Sequence, residues 1–83
     1  HRTWSRVLSD EFSKLQSAST KGKRTVLDQY GADDPAEFFA VATEAFFARS
    51  HRLQIEHPDL YEQLRIYYRV DPARWTRRQP AAG

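Results

Sequence analysis

Apolar residues recur at spacings of three and four over residues 2–18, where Trp4, Val7, Leu8, Phe12 and Leu15 form one stripe between charged and hydroxyl side chains. That period predicts an amphipathic first helix with one face on a core. Residues 19–29 break the pattern: Gly22 and a short Thr25-Val26-Leu27 patch predict a loop or a brief strand leading into Tyr30-Gly31. A second helix has a marked start, because Asp34 suits the N-cap, Pro35 the first helical position and Glu37 the third. From Phe38 to Phe47 only a narrow polar stripe remains, so this helix must be covered on most sides and should form the centre of the core. At about 25 cal/mol per Å² of apolar area buried, its phenylalanines alone contribute several kcal/mol.

After Arg49-Ser50, the stretch SHRLQIEHP predicts a short helical turn halted by Pro58, since the residue before a proline avoids the helical region. Leu60, Tyr61, Leu64, Tyr67 and Tyr68 then predict an amphipathic helix from about 58 to 69. The following DPARWTRRQPAAG carries two prolines and a basic run, which predicts a frayed end. The expected fold is all-α, with three to four helices and one irregular connection. Residues 1–72 are expected to form one helical unit, and 73–83 a basic, frayed tail.

Eighty-three residues make one small domain near the lower limit of independent stability. The chain contains no methionine and opens on His-Arg-Thr-Trp directly into a helical pattern, so it is expected to be part of a longer protein. It has no cysteine, which excludes disulfides, a thiolate nucleophile and a Cys-type zinc site, and fits a reducing, cytoplasmic setting. No apolar run approaches the roughly 18 to 20 residues that cross a bilayer. The formal charge of +2 comes from basic clusters at Lys21–Arg24, at Arg49 and Arg52, and at Arg74–Arg78, with acids between them. Such interleaving predicts a solvated surface rather than a nucleic-acid patch.

Candidate chemistry is sparse. His51 and His57 are six residues apart, roughly 240° around a helix with Pro58 intervening, so they do not form a one-faced metal pair. There is no HExxH, no HxxEH and no Gly-rich phosphate loop, and the serines lack the context of a nucleophile. By these tests the chain holds no complete active site. Glu37 has two readings. An acid at the third helical position answers an N-cap in a capping box, yet Asp34 is itself an acid, and Phe38 and Phe39 set the turn against a core, where a carboxylate needs a partner. Tyr30 is equally open: a phenol ahead of a helix packs its ring, but it can also donate to a developing oxyanion.

The string YGADDPAEFFAVATEAFF, continuing through HRLQIEHPDLYEQLRIYYRVDPARW, resembles the C-terminal part of the Mlc titration factor A (MtfA) family, the DgsA anti-repressors. These are gluzincin-like, zinc-dependent peptidases of bacteria. The similarity runs from Trp4 to Trp75 and is most specific over Tyr30–Phe47 and over HPDLYEQLRIYYRVDP. The Tyr-x6-Glu-Phe-Phe arrangement is also similar, more distantly, to the catalytic domain of anthrax lethal factor. The resemblance implies the helical C-terminal part of a zincin-like metallopeptidase, in which an HExxH helix gives two histidine ligands and a water-activating glutamate, and a later glutamate completes the set. By motif position Glu37 is that later zinc ligand, and Tyr30 matches the tyrosine that stabilises the oxyanion. Glu44 would be at most a supporting acid. The resemblance further implies a peptide substrate, an aminopeptidase activity, contact with the N-terminal part of the same protein and a possible repressor partner of the Mlc type. With one expected ligand of three, the chain alone is expected to bind no zinc tightly and to be inactive.

Overall fold

The computed structural model describes residues 3–78. Regular structure among them is helical throughout: α1 (Trp4–Thr20), a 3-10 turn η1 (Gln29–Ala32), α2 (Pro35–Ala48), α3 (Ser50–Glu56), α4 (Pro58–Tyr68) and α5 (Pro72–Arg78). The all-α class therefore holds, with one helix more than the expected three to four. No helix among the described residues is long and apolar enough to cross a membrane.

Helix α1 begins where the Thr3 hydroxyl accepts from the Arg6 N–H at 3.3 Å. It turns Val7, Glu11 and Leu15 inward and stops at Gly22, whose φ of 71° is the left-handed conformation that glycine adopts without a Cβ penalty. There the Gly22 N–H reaches the Ser19 carbonyl at 3.1 Å and the Lys23 N–H the Ala18 carbonyl at 2.8 Å, the paired bonds of a Schellman ending. The Thr25-Val26-Leu27 patch that could have been a strand is a loop. Its Thr25 hydroxyl accepts from the Leu27 N–H at 2.9 Å, and Val26 and Leu27 are buried against the core.

Helix α2 lies at the centre. Phe38, Ala42, Ala45 and Phe46 are buried, and α2 is in contact with η1, α3 and α4. Aromatic rings continue its packing outward. Phe46 meets Tyr61 and Tyr68 of α4, and Phe39 meets Trp4 of α1 and Tyr67 of α4, with Trp4 and Tyr67 stacked at 5.1 Å. Rings edge-on or offset at these distances add to the area they bury.

Two polar seams set how the remaining helices dock. His57 both ends α3, by donating its N–H to Leu53, and opens α4, by accepting from Tyr61. Its ring Nδ1 lies 2.7 Å from Oε1 of the buried Glu11 on α1, and Lys14 Nζ stands 3.6 Å from the other oxygen. The second seam belongs to Tyr61, whose hydroxyl donates to Asp71 and accepts from the Ala73 N–H at 3.0 Å. Burial, then the bond to Asp71, pushes its phenol up to about 12, so it stays a neutral donor.

This second seam explains the main departure from expectation. The tail expected to fray from residue 73 continues as α5, because Pro72 is suited to a first helical turn and Pro72 and Ala73 are buried under the Tyr61 hydroxyl. Residues 79–83 of that expected tail lie outside the described residues.

Both seams are open to measurement. Burial alone would raise the Glu11 carboxyl, but the His57 hydrogen bond, then the His57 and Lys14 charges, outweigh it and hold it below its ordinary value. A carboxyl depressed in the folded state adds stability above its unfolded pKa and loses it as pH falls through the folded one. Urea unfolding should therefore show stability falling from about pH 5 downward, with a shallower slope in Glu11→Gln. Tyr61→Phe should cost about 1–3 kcal/mol and speed exchange of the Ala73 amide, because a buried N–H loses its acceptor.

Candidate functional site

The two sequence-predicted site residues sit on consecutive elements, Tyr30 on η1 and Glu37 in the first turn of α2. Several bonds fix η1. Asp28 Oδ1 accepts from the Tyr30 N–H at 2.9 Å and the Asp28 carbonyl from Gly31 at 2.9 Å, the local turn that an aspartate two residues upstream makes. Gln16 of α1 donates to the Ala32 carbonyl at 3.3 Å, and Ser19 to the Gln29 side chain at 3.2 Å. The Tyr30 side chain is left 62% exposed, available to a group arriving from outside.

Gly31 is the buried residue of η1. A Cβ there would drive into Val41 Cγ2 of α2, and would also stand 3.2 Å from the Phe38 Cα and 3.3 Å from Leu15 Cδ2. Val41 lies one helical turn after Glu37, so both share a face of α2. The 3-10 turn therefore packs directly on the stripe that carries Glu37.

At the start of α2, Asp34 Oδ1 accepts from the Glu37 N–H at 2.9 Å, as the N-cap reading expects. The reciprocal half of a capping box is not made through Glu37 Oε1, which is buried without a hydrogen-bond partner. Burial, followed by the charges of Asp34 and Asp33, pushes the Glu37 carboxyl above its ordinary value. An orphaned carboxylate oxygen in an acidic surround calls for a cation or a proton, and a carboxylate oxygen is an accepted zinc donor. On this observation Glu37 fits the zinc that the family resemblance implies. Among the described residues no group of three His, Cys, Asp or Glu is placed to hold a metal.

The other candidates are engaged elsewhere or exposed. Glu44 is exposed, with Arg49 at 3.9 Å. His51 is exposed, and His57 Nδ1 is committed to Glu11. An apolar groove of about 240 Å³ between α1 and α2, lined by Leu8, Phe12, Pro35, Phe38 and Phe39, lies on the face of α2 turned away from Glu37. Sequence reasoning missed Asp28 and Gly31. Asp28 was open to discovery, since its spacing from Tyr30 is that of a side-chain-capped turn; the closeness of Gly31 to Val41 is a tertiary contact with no local signal.

The chain is 42% identical over 72 residues to an uncharacterized protein of Synechocystis sp., covering 87% of this chain and 26% of that protein. It is 46% identical over 46 residues to Mlc titration factor A of Pectobacterium atrosepticum, covering 55% of this chain and 17% of the relative. With Mlc titration factor A of Edwardsiella ictaluri it shares 35% identity over 71 residues, 83% of this chain and 27% of the relative. The chain thus spans about a quarter or less of these relatives. No solved structure matches it. The profile of the glucose-regulated metallo-peptidase M90 family matches residues 1–69, and the chain belongs to that family.

Proposed function

We propose that this chain supplies the third metal ligand and the oxyanion donor of a zinc-dependent peptidase, whose HExxH histidines are not among its residues. The observation that carries the reading is the buried, unpartnered Oε1 of Glu37 at the η1–α2 corner, in a metallo-peptidase family. Glu37 would hold the metal through that oxygen. When bound, zinc supplies Lewis-acid polarisation of the scissile carbonyl and a water made acidic enough to attack near neutral pH.

The chain's own part is positional. The Asp34 cap fixes the first turn of α2 and with it the origin of the Glu37 side chain. Tyr30, exposed on its pinned turn, donates its hydroxyl proton in a hydrogen bond to the oxygen that gains charge as the peptide carbonyl becomes tetrahedral. One carboxylate cannot retain zinc against water, so the chain alone is inactive. The substrate class is a peptide, in an aminopeptidase reaction in a reducing, cytoplasmic setting. The second reading is a helical module that contacts a transcriptional repressor, favoured by relatives named Mlc titration factor A and by the exposed apolar groove between α1 and α2.

In the complete peptidase, Glu37→Gln should drop zinc well below one per chain by atomic absorption and abolish peptide hydrolysis. Full zinc and full activity in that variant would sink the ligand assignment, while repressor capture untouched by the same change would favour the second reading. Tyr30→Phe should keep its zinc and lose about 10²-fold or more in kcat, the scale of one oxyanion donor.

A further inference from the structure

We infer that Gly31 is a positioning residue: by having no side chain it lets η1 seat directly on the Glu37–Val41 face of α2, and so sets where Tyr30 stands relative to Glu37. The inference deepens the peptidase reading and rests on it. It is carried by the packing at one point. The Cβ that any other residue would add at position 31 overlaps Val41 Cγ2, and meets the Phe38 backbone at 3.2 Å and Leu15 at 3.3 Å. Of these, the Phe38 Cα belongs to the helix that bears Glu37. Val41 is β-branched and stiff about χ1 in a helix, so its methyl cannot swing aside freely. Leu15 closes the site from α1. With neighbours on both sides, the relief open to a larger residue is to lift η1 away from α2.

Lifting η1 moves Tyr30 but not Glu37. Glu37 is held by its own helix and by the Asp34 cap at its start. Tyr30 is held through the backbone of η1, by Asp28 and by the Gln16 and Ser19 tethers to α1. The corner thus has two separately anchored halves whose spacing is set at Gly31. Displacement of about 1 Å between a catalytic donor and the reacting centre is enough to cost on the order of 10²-fold.

The two anchorings give the test its discrimination. In the complete peptidase, Gly31→Ala should retain one zinc per chain, keep KM within about twofold and lower kcat tenfold or more, with Val41→Ala in the same chain restoring part of kcat by vacating the space. On the 83-residue chain, NMR should show a Gly31 Hα to Val41 methyl contact, and Gly31→Ala should shift the Tyr30 and Ala32 amides while leaving those of α4 in place. If Gly31→Ala folds too poorly to assay, Asp28→Ala frees the same turn without filling space and should give the same kcat loss with zinc retained. Wild-type kcat in either variant, or absence of the Gly31–Val41 contact, overturns the inference. Failure of the peptidase reading is seen separately, as full zinc in Glu37→Gln or unchanged kcat in Tyr30→Phe.

Discussion

Helix α2 is apolar on nearly every side, and a helix of that kind is stable in water only when other elements cover it. Eighty-three residues supply few layers, so the cover has to be assembled from short pieces: η1 on one side, α3 and α4 on another, and α1 reached through ring contacts at Phe38 and Phe39. Ala42 and Ala45, both buried, leave room for the neighbouring elements to approach closely. Phe46, also buried, fills the space in front of α4 through Tyr61 and Tyr68. Covering α2 thus accounts for η1, α3 and α4, while α5 docks on α3 and the Tyr61 hydroxyl.

Apolar cover alone would permit several arrangements of short helices, and polar pairs select among them. Glu11 and His57 tie α1 to the α3–α4 junction, Tyr61 ties α4 to Asp71 and Ala73, and Thr43 meets the Tyr68 hydroxyl at 3.0 Å. Each joins groups far apart in sequence. Buried polar groups are costly unless paired, so a slipped helix would forfeit these bonds as well as apolar contact. Exposed ion pairs such as Arg65 with Glu62 or Arg52 with Glu56 contribute little by comparison, being within one turn and open to water.

That division explains what could be read in the chain. Periodicity located α1 and α4, the apolar run located α2, and punctuation by Asp34-Pro35 and Pro58 set the starts of α2 and α4, because those signals act within one turn of the helix they begin. Helix α5 escaped because what holds it is a tyrosine hydroxyl ten residues upstream of Asp71, and composition at residues 71–78 suggests only a basic tail. Glu11 escaped for the same reason, its partner being 46 residues away. At the site, Tyr30 and Glu37 were nominated by family resemblance, and the Asp34 cap by local pattern. The contact that seats η1 on α2 at Gly31 is tertiary and left no trace in spacing.

The η1–α2 corner differs from the Glu11 site in how it treats an acid. Among the described residues the buried acid Glu11 is paired, with His57 and Lys14, and its carboxyl is depressed. Glu37 has an orphaned oxygen, two acidic neighbours and a raised carboxyl. The fold can carry this exception because the Glu37 carboxylate lies in the first turn of α2, where free N–H groups favour negative charge, and because Asp34 already satisfies the Glu37 N–H. The cap of this helix start is made by Asp34, whose side chain takes the Glu37 N–H and whose carbonyl takes the Phe38 N–H, and not by Glu37 Oε1. On the proposed peptidase reading, that unpartnered oxygen would serve a positive ligand from outside these residues, and Tyr30, exposed on the adjoining turn, would be open to a substrate.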